Sequence, residues 1–206
     1  MTQTDEKKNW FTKPRVETFS DSEFAIVVTL LVLDIKVPEI HDYTSVKELY
    51  TALISITPKL LSGMISFLMV CVIWVNLHWL FVSINFIDHG VFWLNTIILL
   101  FCSFLPYPTA LVGSYIHNPV SLCFFGLVMG FLSVTIIALR MYLLRTPGLL
   151  KTKIDKVAFN KATRTSIIFR PGFYFAGAGM ALISTELSLL VFLLLPLYFI
   201  FFNLKS

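Results

Sequence analysis

The chain has 206 residues, of which 57% are hydrophobic, 15% aromatic and only 14% charged. Soluble domains carry about 25% charged residues, so this composition excludes an ordinary soluble fold. The formal net charge of +4 does not indicate nucleic-acid binding, because the charges lie at a few junctions between long apolar runs. We therefore predict an all-α integral membrane protein.

Six apolar segments are long enough to cross a bilayer, because a helix needs about 20 residues to span about 30 Å of hydrocarbon. They cover approximately 18–37, 60–86, 91–112, 120–144, 165–183 and 187–202. Helix breakers separate several of them, namely Pro38, Pro58, His89–Gly90 and Pro119. Pro106 and Pro108 lie inside the third segment and are expected to bend or break it. Since the sequence contains no visible repeat, we expect a single six-helix transmembrane domain over residues 1–206.

Lysine and arginine cluster in two places, the N-terminal tail and the connection between the fourth and fifth segments. The tail carries Lys7, Lys8, Lys13 and Arg15. The connection carries Arg140, Arg145, Lys151, Lys153, Lys156, Lys161 and Arg164. Cytoplasmic loops are enriched in these residues, and six spans place both clusters on one side of the membrane. We therefore expect both termini in the cytoplasm.

The first segment differs from a lipid-facing helix, because its uninterrupted apolar stretch covers only residues 24–33. Carboxylates flank this stretch: Asp21 and Glu23 precede it, and Asp34 and Glu39 follow it. Ionisable groups at membrane depth usually face a bundle interior or a water-filled cavity. A narrow apolar constriction between two wet vestibules is one interpretation, and a short or interfacial helix is the other. These facts alone favour neither.

Helical geometry separates the apolar and polar residues of the first segment. At about 100° per residue, one stripe carries Glu23, Ile26, Leu30, Leu33 and Val37, with Thr29 and Asp34 at its edges. Ser20 and Asp21 point away from this stripe and, if it lines an axis, need partners on neighbouring helices. The candidate partners are Trp74, Asn76, His78 and Asn95. Metal binding or proton relay by His78 is a weaker alternative, because no second His or Cys is placed to cooperate. We expect no metal site.

Three segments, in order, resemble the transmembrane protein 175 family, the prokaryotic relatives of a lysosomal potassium channel. RVETFSDSEFAIVVTLLVLDIKVP, residues 15–38, resembles the first helix of the family. The matching positions are Arg15, Phe19, Ser20, Asp21, Ala25, Ile26, Thr29, Leu30 and Leu33. IWVNLHWLF, residues 73–81, resembles the second helix, and FWLNTIILLFCSFLPYPTAL, residues 92–111, resembles the third. Two departures are the single His78, where a doubled His is common, and the acidic Glu23, where a small or apolar residue is frequent.

The resemblance implies a homotetramer in a prokaryotic plasma membrane, with the first helix of each subunit lining a central pore. It implies passive conduction of potassium in preference to sodium, without a cofactor and without the Thr-Val-Gly-Tyr-Gly carbonyl filter, a sequence that is absent here. The apolar pore rings would be Ile26, Leu30 and Leu33, with Thr29 contributing to selectivity and Glu23 adding charge at the inner mouth. The resemblance also implies a structural polar network of Arg15, Ser20, Asp21, Trp74, His78 and Asn95.

Two other classes of function are considered. A secondary transporter of a cation or a small solute is the main alternative, because transporters also contain broken helices. An enzyme would need a cluster of reactive side chains, and the sequence presents no such constellation. Ordinary helix packing remains an alternative role for the apolar stripe, although the flanking carboxylates and the resemblance favour the pore.

Overall fold

The structure, a computed structural model, describes residues 12–33, 35–154 and 156–202. Lys7, Lys8 and Asp34 therefore lie outside the described residues. Within these ranges the chain forms eight helices, α1 Lys13–Leu33, α2 Val46–Ser55, α3 Thr57–Ser83, α4 His89–Phe104, α5 Pro106–Ser114, α6 Pro119–Arg145, α7 Lys156–Met180 and α8 Thr185–Phe202. An isolated bridge pairs Ile84 with Leu150. The prediction of an all-helical protein is confirmed for the described part of the chain.

Three helical stretches are long and apolar enough to cross a membrane: Thr57–Ser83, His89–Ser114 and Pro119–Arg145. They coincide with the second, third and fourth predicted segments, which are confirmed as apolar helices. The helices α1, α7 and α8 occupy the first, fifth and sixth predicted segments. That these three also cross the membrane stays a prediction.

The helices differ in extent from the predicted apolar segments. Because α1 ends at Leu33, Val37 lies in a non-helical segment and is not part of the stripe on this helix. Helix α7 begins at Lys156, and α6 extends to Arg145, so most of the second basic cluster lies on helices and not in a connection. The physical reason is that apolarity marks the part of a helix suited to lipid, whereas a helix can continue into water beyond it.

The predicted break in the third segment is confirmed, and it falls between α4 and α5. The N–H of Leu105 donates to the carbonyl of Cys102 at 3.0 Å. This bond reaches back three residues, as in a 3₁₀ turn, and not four as in an α-helix. Pro106 and Pro108 follow, and neither has an N–H to continue the ladder. The N–H of Thr109 then donates to the carbonyl of Leu105 at 3.1 Å and restarts the helix. The two prolines therefore divide one apolar segment into two helices.

Helix α2 was not predicted, although its start has a recognisable cap. The Ser45 hydroxyl accepts the N–H of Glu48 at 3.3 Å, and the Glu48 carboxylate accepts the N–H groups of His41 at 2.6 Å and Asp42 at 3.0 Å. These bonds, that of His41 first, lower the pKa of Glu48. The exposed apolar side chains of α2 include Val46, Leu49, Tyr50 and Leu53. This helix interrupts what the sequence suggested was a simple connection.

Hydrogen bonds join the connection between α3 and α4 to the connection between α6 and α7, at the end of the bundle where α1 begins. The N–H of Asn85 donates to the carbonyl of Leu149 at 2.8 Å, and the N–H of Lys151 donates to the carbonyl of Ser83 at 3.0 Å. The Lys13 ammonium group donates to the carbonyl of Ile84 at 2.9 Å. The start of α1 is therefore tied to the connection between α3 and α4, which is itself tied to the connection between α6 and α7.

The helix α6 packs against α4, α5, α7 and α8, whereas α1 packs against α3, α4 and α5. Close approach of α6 and α7 depends on Gly126, where a Cβ atom would lie 2.9 Å from the carbonyl oxygen of Tyr174. Because that neighbour is a backbone atom, a larger residue would force the two helices apart. This packing leaves one face of α1 uncovered by the rest of the subunit.

Candidate functional site

The buried face of α1 consists of Val16, Ser20, Phe24, Val27 and Leu31. These residues recur at helical spacing and pack against the neighbouring helices of the same subunit. Val27 is fully buried and Leu31 is 3% exposed. The opposite side of the helix is therefore the part available for other contacts.

The three predicted ring residues lie on the uncovered side of α1. Ile26 is 52% exposed, Leu30 is 40% exposed and Leu33 is 74% exposed. They are separated by about one helical turn each, so they follow one line along the axis. An isolated subunit thus exposes a column of branched apolar side chains along a helix whose other side is in the core. Such a column needs further copies of the chain, or lipid, to cover it.

Thr29 is also exposed. Its hydroxyl donates to the carbonyl of Ile26 at 2.7 Å, so its proton is used within the helix. The hydroxyl oxygen keeps lone pairs that can face a cation or a water molecule. Thr29 therefore offers a polar oxygen next to the apolar column.

Glu23 is half-buried and contacts a residue that sequence reasoning missed. The Ser103 hydroxyl lies 2.7 Å from Oε1 of Glu23 and also 2.7 Å from the carbonyl oxygen of Leu99. Ser103 is on α4, near the break at Leu105, so Glu23 joins α1 to the end of α4. A polar residue in an apolar run one turn before two prolines was the signal that could have singled out Ser103.

The structure divides the predicted polar network into two clusters, one of which is buried. Asn95 on α4 donates its Nδ2 to the Ser20 hydroxyl at 2.9 Å, and Ser20 in turn donates to the carbonyl of Val16 at 2.8 Å. Ser20 is 2% exposed and Asn95 is 1% exposed. The Oδ1 atom of Asn95 has no hydrogen-bond partner among the described residues. This cluster joins α1 to α4.

The second cluster lies on the surface of the subunit and joins α1 to α3. The indole Nε1 of Trp74 donates to Oδ1 of Asp21 at 2.8 Å, and the rings of Trp74 and His78 lie 5.8 Å apart at an angle of 30°. Asp21 is exposed, and Trp74 is 39% exposed. Arg15 is also exposed, and its guanidinium has no hydrogen bond or ion pair within the described part of the subunit. Asn76, another candidate partner, donates to the carbonyl of Val72 at 2.7 Å.

No group of three or more His, Cys, Asp or Glu side chains that could hold a metal occurs among the residues described. The arrangement offers an apolar column, one hydroxyl oxygen and one carboxylate along α1. Two polar clusters fix the same helix to α3 and α4.

The family described as the endosomal/lysosomal potassium channel TMEM175 matches residues 15–106. This range contains every residue discussed above for the site. A potassium channel of Chamaesiphon minutus is 35% identical over 188 residues, which cover 90% of this chain and 92% of that protein. A potassium channel of Streptomyces collinus is 34% identical over 189 residues, covering 90% of each chain. The crystal structure of a lysosomal potassium-selective channel TMEM175 homologue from Chamaesiphon minutus superposes with a TM-score of 0.80 at 30% identity, covering 91% of this chain and 95% of that one.

Proposed function

Because the chain belongs to the TMEM175 family of ion channels, we propose that it is one subunit of a potassium-preferring cation channel. Two relatives that are named as potassium channels support the choice of ion. A family of ion channels is not a family of enzymes. The alternative, a secondary transporter, has no support in these relatives.

A single observation carries the proposed position of the pore. Ile26, Leu30 and Leu33 are exposed on the same helix whose opposite face, with Val27 and Leu31, is in the core. One copy of such a helix cannot enclose a pore, so the column requires symmetric copies around an axis. A homotetramer, which the family resemblance implies, would convert each side chain into a ring. The subunit would then contribute α1 to the centre and its other helices to the surround.

Conduction in this pore would depend on apolar rings in place of a carbonyl filter. A ring of branched side chains forces a hydrated ion to lose or distort its water shell, and the ring can close by dewetting. Sodium holds its water more tightly than potassium, so the same constriction disfavours sodium more. Thr29 would compensate part of the lost hydration with its hydroxyl oxygen, which is available as an acceptor. The expected preference for potassium is modest.

Glu23 would place negative charge about one helical turn before the first ring. In a tetramer, four carboxylates at this level would raise the local concentration of cations. The hydrogen bond from Ser103 fixes one carboxylate oxygen and leaves the other available. We assign Glu23 to the inner mouth.

The six polar residues predicted as a network would stabilise the pore helix and not bind the ion. Ser20 and Asn95 hold α1 to α4 inside the subunit, while Asp21, Trp74 and His78 lie on its surface. Because Asp21 and Arg15 are exposed in the single subunit, a neighbouring copy is the partner that would complete their contacts. The surface cluster would therefore support assembly, and the buried cluster would support the fold of each subunit.

Six membrane crossings follow if α1, α3, the broken pair α4–α5, α6, α7 and α8 each cross once. Helix α2 would then lie outside the membrane core. The start of α1 and the two hydrogen-bonded connections around Lys151 lie together at one end of the bundle. This supports a cytoplasmic side on which both basic clusters lie. We propose a single transmembrane domain in a prokaryotic plasma membrane, with both termini in the cytoplasm.

The test is electrical. Purified protein in a planar bilayer under a potassium–sodium gradient should show unitary currents with a reversal potential displaced toward that of potassium. Current must flow down the gradient without an obligatory counter-ion, which distinguishes a channel from a transporter. Transport that stops without a second, coupled solute would overturn the proposal.

A further inference from the structure

A cavity of about 200 Å³ lies between α3, α5, α6 and α8. Helix α1 contributes no residue to its lining, so it is separate from the proposed ion pathway. Its walls include Pro58, Leu61, Ile65, Val112, Phe125 and Phe192. An apolar cavity of about 150 Å³ is large enough to hold a benzene molecule. The space here therefore suits an apolar ligand larger than a single ring.

The chemistry of the lining excludes a charged ligand. Its few polar groups are hydroxyls that already have partners within the protein. The hydroxyls of Thr109 and Ser66 lie 2.8 Å apart, and Ser62 donates to the carbonyl of Lys59 at 3.1 Å. A bound water molecule needs about 2–4 polar partners, and only three of the twelve lining residues carry a polar side chain. An apolar occupant is the chemistry that fits.

The depth of the cavity places it in one half of the membrane. Its lining on α3 extends from Pro58, next to the start of that helix, to Ser66. Eight residues of helix correspond to about 12 Å, less than half of the hydrocarbon thickness of about 30 Å. On α6, Phe125 likewise lies in the first two turns after Pro119. The cavity is thus level with the acyl chains of a single leaflet.

The mouth of the cavity opens to the surface of the subunit. Leu61 is 51% exposed and Leu193, on α8, is 43% exposed, and both line the cavity. Met64 and Leu68, on α3, are also exposed but do not belong to the lining. The mouth therefore lies between α3, which is long and apolar enough to cross a membrane, and the shorter apolar helix α8. An acyl chain can therefore reach the cavity sideways, without crossing the protein.

We propose that this cavity binds one acyl chain of a bilayer phospholipid. The apolar lining, the depth within one leaflet and the lateral opening all point to the same occupant. The bound chain fills the space between α3 and α8. Lipid composition then becomes a determinant of how these helices pack.

The experiment uses the full chain reconstituted in phosphatidylcholine vesicles. A small fraction of the phosphatidylcholine carries a photoactivatable diazirine near the end of one acyl chain, and mass spectrometry maps the cross-linked peptides. The wild-type protein should be labelled at the lining residues Ile65, Leu189 and Phe192. Labelling confined to outward-facing positions such as Met64 and Leu68 would overturn the proposal, because it would show only lipid sliding over the surface.

A filling substitution and a matched control sharpen the result. Ile65→Trp places a larger apolar side chain in the cavity and should abolish most labelling at 189–193. Leu68→Trp adds the same indole on the same helix outside the cavity and should leave that labelling unchanged. If Ile65→Trp does not yield a folded oligomer by size-exclusion chromatography, Val112→Phe fills the cavity from α5 and is judged by the same loss. Equal labelling at 189–193 in the wild type and a folded filling variant refutes the assignment.

Discussion

The substitution Ile26→Asn distinguishes a pore-lining residue from a packing residue. Ile26 is 52% exposed in the subunit, whereas its neighbour Val27 is fully buried. Both are β-branched and adjacent in sequence, so they differ mainly in the direction in which they point. Asparagine at each position therefore gives a matched pair, with Val27→Asn as the control for damage to the core.

The magnitude follows from whether the new amide meets water. An amide buried without partners costs about 1–3 kcal/mol in proteins, and the cost is several kcal/mol where hydrocarbon excludes water altogether. Protein stabilities are about 5–15 kcal/mol, so Val27→Asn should remove a large part of the folding free energy. At a wet constriction the amide of Ile26→Asn remains hydrated, so its cost should be small. The barrier to wetting should also fall, because polar side chains replace an apolar ring.

We expect Ile26→Asn to keep the oligomer, raise the current and weaken the preference for potassium over sodium. Leu30→Asn and Leu33→Asn should act in the same direction with smaller effects. Val27→Asn should reduce the yield of the oligomer without raising the current per channel. Planar-bilayer recordings give unitary conductance and the reversal potential under one potassium–sodium gradient, and size-exclusion chromatography gives assembly. An intact Ile26→Asn oligomer with unchanged conductance and selectivity, together with unchanged Leu30 and Leu33 variants, would place the pore elsewhere.

The remaining predictions concern assembly, the polar contacts and pH. The mass of the detergent-solubilised particle should correspond to four subunits, and a conducting monomer would contradict the central pore. Asp21→Ala should weaken assembly more than it changes the reversal potential, because Trp74 loses its acceptor. Asp21→Asn should be milder, since it keeps an acceptor. Normal assembly of Asp21→Ala with altered selectivity would contradict this. Glu23→Gln should lower conductance most at low salt, where charges are least screened. Ser103→Ala keeps the charge and should have a smaller effect. Equal conductance of the Glu23→Gln channel and the wild type at low salt would contradict the assignment of Glu23 to the mouth. The pKa of Glu48 is lowered in the folded state, so the stability that its carboxylate gives to the start of α2 is present above the ordinary pKa of a glutamate and is lost as the pH falls through the lowered value. Amide hydrogen exchange in α2 should therefore accelerate on that acidification. The acceleration should be smaller in Glu48→Gln, which does not titrate.

Helix α2 was not predicted, because apolar length alone does not identify helices that are too short to cross a membrane. Ser45 followed by Glu48 is a recognised start signal for a helix, and Val46, Leu49, Tyr50 and Leu53 have helical spacing. The segment is too short to cross a bilayer, so a search based on span length leaves it in a connection. The early start of α7 at Lys156 has the same cause. At α2 the helical signal was in the sequence, and the criterion of apolar length excluded it.

Periodicity and composition alone determined the class of this protein and the two sides of α1. The low charge content indicates a membrane protein, and the spacing of Ile26, Leu30 and Leu33 places them on one side of a helix because each residue turns it by about 100°. Only the tertiary structure decided which partner each polar group takes. Ser20 pairs with Asn95 on α4, and Asp21 pairs with Trp74 on α3. Sequence cannot make that choice, because it depends on the rotation and the vertical offset of one helix against another, which the packing of the whole bundle sets.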